Sequence, residues 1–130
     1  MKPTFKGVDC YLLKVSNLED GINFYVNQLG HTLNWKTEIS AGLLMGDSDV
    51  ELVLNTEFGP ETDLLVDDVH EAYERLIKAG AKSRKEPFEI QIGLCAVLED
   101  PWGNELVILD LSKGLLKMDE NKNVIGNKPQ

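Results

Sequence analysis

Two stretches of the chain carry the same pattern. The first reads Val15-Ser16-Asn17-Leu18-Glu19 and runs on to Leu29-Gly30; the second reads Val66-Asp67-Asp68-Val69-His70 and runs on to Ala79-Gly80. The valines are 66 − 15 = 51 positions apart and the glycines 80 − 30 = 50. An approximate repeat of this length predicts a duplicated structural unit. The residues at equivalent positions of the two copies then decide the chemistry.

Module one reads as a strand, a helix and three strands. Apolar residues dominate 9–15, which predicts a strand. Ser16 and Glu19 have the spacing of a capping box, and apolar residues at three- and four-residue intervals predict a helix to about Gln28, with Gly30 as its C-terminal glycine. Short apolar runs separated by turn residues then predict strands at 31–37, 40–45 and 50–55.

Module two repeats this order. A strand at 63–66 precedes a helix that Asp67 or Asp68 would cap and Gly80 would end. Strands are predicted at 82–86, 92–98 and 105–111. The fold class is therefore α+β, with two tandem βαβββ modules (about 8–57 and 60–111) in one domain, 1–111. The tail, 112–130, is either a hairpin or a frayed terminus.

Composition limits the partners. Hydrophobic residues make up 42% and charged residues 27% of the chain, which is typical of a globular protein. The net charge of −9 argues against nucleic acid, and indicates either solubility or attraction for a cationic ligand. No apolar run is long enough for a membrane span, and the N-terminus lacks the features of a signal peptide. With two cysteines and no disulfide framework, we expect a cytoplasmic protein.

These segments resemble the vicinal oxygen chelate superfamily, which includes glyoxalase I, extradiol dioxygenases, and fosfomycin- and bleomycin-resistance proteins. The matching motifs are Phe24-Tyr25 and Leu29-Gly30 in module one, and Ala79-Gly80-Ala81 and Asp100-Pro101-Trp102-Gly103-Asn104 in module two. The likeness covers about residues 8–111. It implies curved mixed sheets around a cavity, a homodimer, and metal ligands on the first and last strand of each module. The usual ligand set is two His with one or two Glu.

Carried over residue by residue, the four ligand positions fall on Cys10, Glu51, Glu61 and Val107. A second alignment pairs the two Glu-Leu-Val words and replaces Val107 by Glu105. Neither first-strand position holds His, and the two histidines, His31 and His70, fall elsewhere. The usual two-His metal site is therefore not expected.

The resemblance implies a small-molecule binder similar to the bleomycin-resistance branch, which sequesters a cationic drug without metal. Trp35 would stack on a flat or cationic ligand. The expected ligand-binding residues are Cys10, Trp35, Glu51, Glu61, Glu105 and Val107, with no cofactor. The alternative is a metal-dependent lyase, isomerase or dioxygenase that uses Glu51, Glu61 and either Glu105 or Cys10. A regulatory module with a vestigial pocket is a third hypothesis.

Overall fold

A computed structural model describes residues 2–130. The chain divides into two compact units. The first unit comprises Asp9–Thr62 and Lys117–Gly126. The second unit comprises the N-terminal residues through Val8, together with Asp63–Leu116 and Asn127–Gln130. Module one therefore forms most of the first unit, and module two forms most of the second.

The elements follow the predicted order of a strand, a helix and three strands in each module. In module one they are β1 (Gly7–Lys14), α1 (Leu18–Ile22) with a π-helical segment (Asn23–Gln28), β2 (Thr32–Lys36), β3 (Ser40–Leu44) and β4 (Glu51–Asn55). In module two they are β5 (Glu61–Leu65), α2 (Val69–Ala79), β6 (Lys82–Ile90), β7 (Gly93–Glu99) and β8 (Glu105–Leu109). A two-stranded C-terminal sheet follows, β9 (Leu115–Met118) and β10 (Val124–Lys128).

The sheet of module one has the strand order β2-β3-β4-β1. β3 lies antiparallel to both β2 and β4, whereas β1 lies parallel to β4 with Cys10 opposite Glu51. This sheet is therefore mixed, as the connection through a helix requires. The helical segment covers one face of the sheet, where the buried residues are Leu18, Ala41, Leu43, Leu52 and Leu54.

The sheet of module two repeats this arrangement with the order β5-β8-β7-β6. β5 lies parallel to β8, and β7 lies antiparallel to its two neighbours. Asp68 caps α2 by accepting a hydrogen bond from the Glu71 N–H, and Gly80 ends the helix with φ of +111°. The buried residues between helix and sheet are Val66, Val69, Ala72, Ala96, Leu98 and Ile108. The α+β class and the two βαβββ modules are thus confirmed.

The start of the first helix differs from the prediction. Asn17, not Ser16, is the N-cap residue, and its side chain accepts a hydrogen bond from the Asp20 N–H at 2.9 Å. The capping box of Ser16 and Glu19 was therefore wrong. Both Ser and Asn suit this position, and the chain enters the helix one residue later than the pattern indicated. Gly30 follows the helical segment with φ of +85°, as predicted.

Two further segments extend beyond the sequence prediction. β6 continues past Glu86 to Ile90, with two register shifts against β7. The tail forms the hairpin β9–β10, one of the two alternatives, and its tip donates and accepts backbone hydrogen bonds between Asp119 and Asn123. Within residues 2–130, no helix has the length and apolar character needed to cross a membrane.

Candidate functional site

The face of module one opposite the helix carries three of the predicted site residues. Cys10 lies on β1 opposite Glu51 on β4. Cys10 is buried, and it packs in a small apolar cluster with Leu12, Val53 and the half-buried ring of Trp35. Cys10 and Glu51 are brought together because β1 and β4 are adjacent parallel strands. Trp35 lies on β2, two strands from β4, and its long side chain reaches across β3 to Glu51.

The carboxylate of Glu51 accepts hydrogen bonds from two side chains of β2. The Trp35 indole Nε1 donates to Glu51 Oε1 and Oε2 at 3.0 and 3.1 Å. The Asn34 Nδ2 donates to Oε2 at 2.6 Å. All three side chains are half-buried. Hydrogen bonds to a charged acceptor are stronger than those between neutral groups, so this arrangement fixes the orientation of the carboxylate.

A second carboxyl group lies in the electric field of the first. Burial raises the pKa of Asp9 above its ordinary value, and the negative charge of Glu51 raises it further. A hydrogen bond with Cys10 acts in the opposite direction. The module-one face thus combines an aromatic ring and an oriented carboxylate, and the nearby carboxyl group of Asp9 holds its proton more tightly than usual.

The side chains that hydrogen-bond to Glu51 are an indole and an amide. Among residues 2–130, no three side chains of His, Cys, Asp and Glu are grouped closely enough to hold a metal. The oxygens of Glu51 already accept hydrogen bonds from Trp35 and Asn34. An indole N–H and an amide donate hydrogen bonds and are not metal ligands of the usual kind. The residues present do not fit the two-His set that the resemblance implied.

The remaining predicted residues lie on the strands of module two. Glu61 opens β5 and is half-buried, and Glu105 opens β8 and is exposed. Glu105 Oε2 accepts a hydrogen bond from Arg84 Nη1 at 3.3 Å. Val107 is buried and packs with Cys95 and Leu109. Since β4 and β8 both begin at the Glu of Glu-Leu-Val, the strand bounds favour the alignment of Glu51 with Glu105 over that with Val107.

The two histidines lie at the ends of other elements. His31 is half-buried just before β2, and His70 is exposed in the first turn of α2. Neither lies in β1, β4, β5 or β8, the strands that carry the four ligand positions.

A separate open groove lies beside the start of α1 and the end of β2. Its volume is about 710 Å³. The lining residues are Ser16, Asn17, Leu18, Glu19, Lys36, Thr37, Glu38, Thr56, Asn123 and Val124. None of the predicted site residues is among them.

Two residues that interact with Glu51 were missed from the sequence. Asn34 is adjacent to Trp35, and neighbours on a regular strand point to opposite faces, so the pattern gave no reason to join them. Asp9 precedes Cys10 and was read as the polar start of a strand. A carboxylate next to the predicted first-strand position was the available signal for Asp9.

Comparison with solved structures shows the same fold in proteins of different activities. A methylmalonyl-CoA epimerase from Mycobacterium tuberculosis is 18% identical, covers 85% of this chain and 91% of its own, and superposes with a TM-score of 0.70. A Legionella pneumophila protein described as an NAD-dependent benzaldehyde dehydrogenase is 22% identical over 78% of this chain and 97% of its own, with a TM-score of 0.65.

A third structure is a homoprotocatechuate 2,3-dioxygenase variant from B. fuscum, which is 25% identical over 84% of this chain, with a TM-score of 0.58. The match spans 33% of the dioxygenase. No curated protein matches the sequence. The family model described as Glyoxalase/Bleomycin resistance protein/Dioxygenase superfamily matches residues 7–108, which is most of both modules. The chain therefore belongs to the glyoxalase/bleomycin resistance protein/dioxygenase superfamily.

Proposed function

We propose that this protein binds a small cationic or aromatic molecule through the module-one face that carries Cys10, Trp35 and Glu51. The observation behind the proposal is the hydrogen bond from Trp35 to Glu51 at 3.0 Å. It keeps an indole ring and a carboxylate side by side at a half-buried position. A flat ring stacks on indole, and a positive group of the same ligand pairs with the carboxylate.

Charge favours a cation over an anion at this face. Asp9 lies close enough to Glu51 for the charge of Glu51 to raise its pKa. The chain as a whole carries a net charge of −9, so the long-range field also attracts positive ligands. An anionic ligand would need a basic partner, whereas the side chains that donate hydrogen bonds to Glu51, Asn34 and Trp35, are neutral.

Within the superfamily, this proposal places the chain nearest to the bleomycin-resistance branch, with a role in antibiotic resistance. We further propose a cytoplasmic homodimer, on the strength of the resemblance. Glu61, Glu105 and Val107 stay predicted ligand contacts.

Titration of the purified protein with planar aromatic cations, ethidium and bleomycin among them, tests the proposal by calorimetry. We expect saturable binding that Glu51→Gln weakens about tenfold, the effect of losing one charge-assisted interaction. Glu74→Gln is the matched control, because it removes the same charge from an exposed position on α2. Equal binding by the two variants would contradict the proposal, as would the absence of binding by every compound of the panel.

The alternative is a metal-dependent lyase, isomerase or dioxygenase that uses Glu51, Glu61 and Glu105 or Cys10. The matching positions of Glu51 and Glu105 at the start of β4 and β8 favour it. Metal analysis of protein purified without chelator and without a nickel column distinguishes the two. A stoichiometric divalent metal that Glu51→Gln removes would overturn binding without metal.

A further inference from the structure

The edge strand β2 contains an irregularity at the residues that contact Glu51. Leu33 pairs with Leu43 and Trp35 pairs with Gly42, so Asn34 is an extra residue opposite no partner on β3. This is the geometry of a β-bulge. On a regular strand, residues 34 and 35 would point to opposite faces. The bulge is what allows both side chains to donate to one carboxylate.

Gly42 provides the room for the Trp35 ring. A Cβ atom built at Gly42 would overlap Nε1 and Cε2 of Trp35. The Trp35 indole therefore crosses the backbone of β3 to reach Glu51 on β4. Any side chain at residue 42 would displace the ring from the position in which its N–H donates to the carboxylate.

The tip of the C-terminal hairpin contacts β2 just after Trp35. The Lys36 N–H donates to the Lys122 carbonyl oxygen at 2.8 Å, and Lys36 forms a bridge with Asn123. The carboxylate of Asp119 shapes the tip by accepting from the N–H groups of Asn121 and Asn123 at 2.8 and 3.0 Å. β2 has no strand neighbour other than β3, so these contacts hold its outer edge.

We propose that Asn34 and Trp35 are positioning residues for Glu51, and that the tip of the C-terminal hairpin holds them in place. Their role is to fix the direction from which Glu51 meets a bound molecule, and in this respect the inference rests on the proposed function. The family model matches residues 7–108, so the hairpin lies outside the matched part of the chain.

The test uses the fluorescence of Trp35. The chain has two tryptophans, and Trp102 is 84% exposed in a turn, so Trp102→Phe leaves Trp35 as the single reporter. In this background, Asp119→Ala should shift the Trp35 emission to longer wavelength and raise its quenching by acrylamide, because the edge of β2 loses its support. Asp119→Asn retains an acceptor oxygen and should restore the parent signal.

Two further variants examine the contact itself. Asn34→Ala and Glu51→Leu should each change the Trp35 emission, whereas Asp47→Ala, an exposed control with the same loss of charge as Asp119→Ala, should not. Circular dichroism checks that each variant is folded. With ethidium as the probe, Asp119→Ala should lower affinity about tenfold relative to Asp47→Ala.

An unchanged Trp35 signal in folded Asp119→Ala would overturn the role of the hairpin, and an unchanged signal in Asn34→Ala and Glu51→Leu would overturn the positioning of Glu51. These readouts need no ligand. A failure of ethidium and of every other compound of the panel to bind would contradict the proposed function and leave the Trp35 measurements to decide the positioning role by themselves.

Discussion

The buried carboxylate of Asp110 joins three segments of module two. It is 2% exposed and accepts hydrogen bonds from the N–H groups of Val69 and Leu94 at 2.9 and 3.0 Å. The Ser112 hydroxyl donates to it at 2.7 Å. Burial by itself would raise the pKa of Asp110, but the hydrogen bonds from Ser112, Val69 and Leu94 outweigh it and lower the pKa. The start of α2 and the start of β7 thus depend on one side chain.

We expect Asp110→Ala to lower the free energy of unfolding by about 3 kcal/mol at pH 7, because buried N–H groups lose their acceptor. A lowered pKa contributes stability above the unfolded-state value, and this contribution is lost as the pH falls through the folded-state value. The difference between variant and parent should therefore shrink in acid. Urea unfolding at pH 7 and in acid measures this difference, with the substitution of exposed Asp49, Asp49→Ala, as control. A deficit equal to that of the control would contradict this role.

Asp9 should show the opposite pH dependence. Burial and the charge of Glu51 raise its pKa, so the folded state binds this proton more tightly than the unfolded state does. Its contribution to stability is present in full below the unfolded-state pKa and is lost as the pH rises through the folded-state pKa. Asp9→Asn should consequently stabilise the protein at pH 7 and have little effect in acid. Denaturant unfolding at pH 7 and in acid checks the sign of the stability change, and a destabilised variant at pH 7 would refute the prediction.

At the scale of elements, the position of the Trp35 ring over β3 depends on Gly42. Its added Cβ would overlap the Trp35 ring, so Gly42→Ala should displace the indole and cost about 1–3 kcal/mol, the usual penalty of overpacking. Gly46→Ala is the matched control, since a Cβ there meets no atom within 4 Å. Thermal unfolding and Trp35 fluorescence measure both effects. If the two variants behaved alike, the close approach of ring and backbone would not matter.

The order of the elements was predictable because it rests on local chemistry. Hydrophobic periodicity and the glycines after each helix located α1, α2 and most strands. The bulge at Asn34 was not predictable, since it is defined by the register of β2 against β3 and leaves no local pattern. The choice of Asn17 over Ser16 as N-cap is similar, because both residue types suit the position and only the path of the chain separates them.

The candidate site was predictable in part for the same reason. The repeat located Cys10 and Glu51 because equivalent strands hold equivalent positions, whereas Trp35 was proposed only as an aromatic residue of the second strand. The hydrogen bonds to Glu51 depend on three strands, and Asn34 could be found only once the bulge was seen. For β8, two registers were open in the sequence, and the bounds of the strand favour Glu105 as the equivalent of Glu51.

At the scale of the whole molecule, acidic residues outnumber basic ones by 22 to 13. Self-repulsion of this kind destabilises a compact state. The opposing ion pairs, such as Lys2–Asp67 and Arg84–Glu99, are largely exposed and contribute little. We therefore expect the melting temperature to rise as NaCl is increased from about 0.01 M to 0.15 M, over which the Debye length falls from about 30 Å to 8 Å. A fall in melting temperature would show that the ion pairs outweigh the repulsion.

The contact between Trp35 and Gly42 also constrains how this sequence can change by descent. Tryptophan at residue 35 requires glycine at residue 42, whereas glycine at residue 42 tolerates a smaller residue at 35. Because any larger residue at 42 carries the overpacking penalty while Trp35 is present, we expect the glycine to have arisen first and to be lost only after the tryptophan. Among related sequences, tryptophan at residue 35 should therefore occur together with glycine at residue 42. Glycine at residue 42 should also occur with smaller residues at 35.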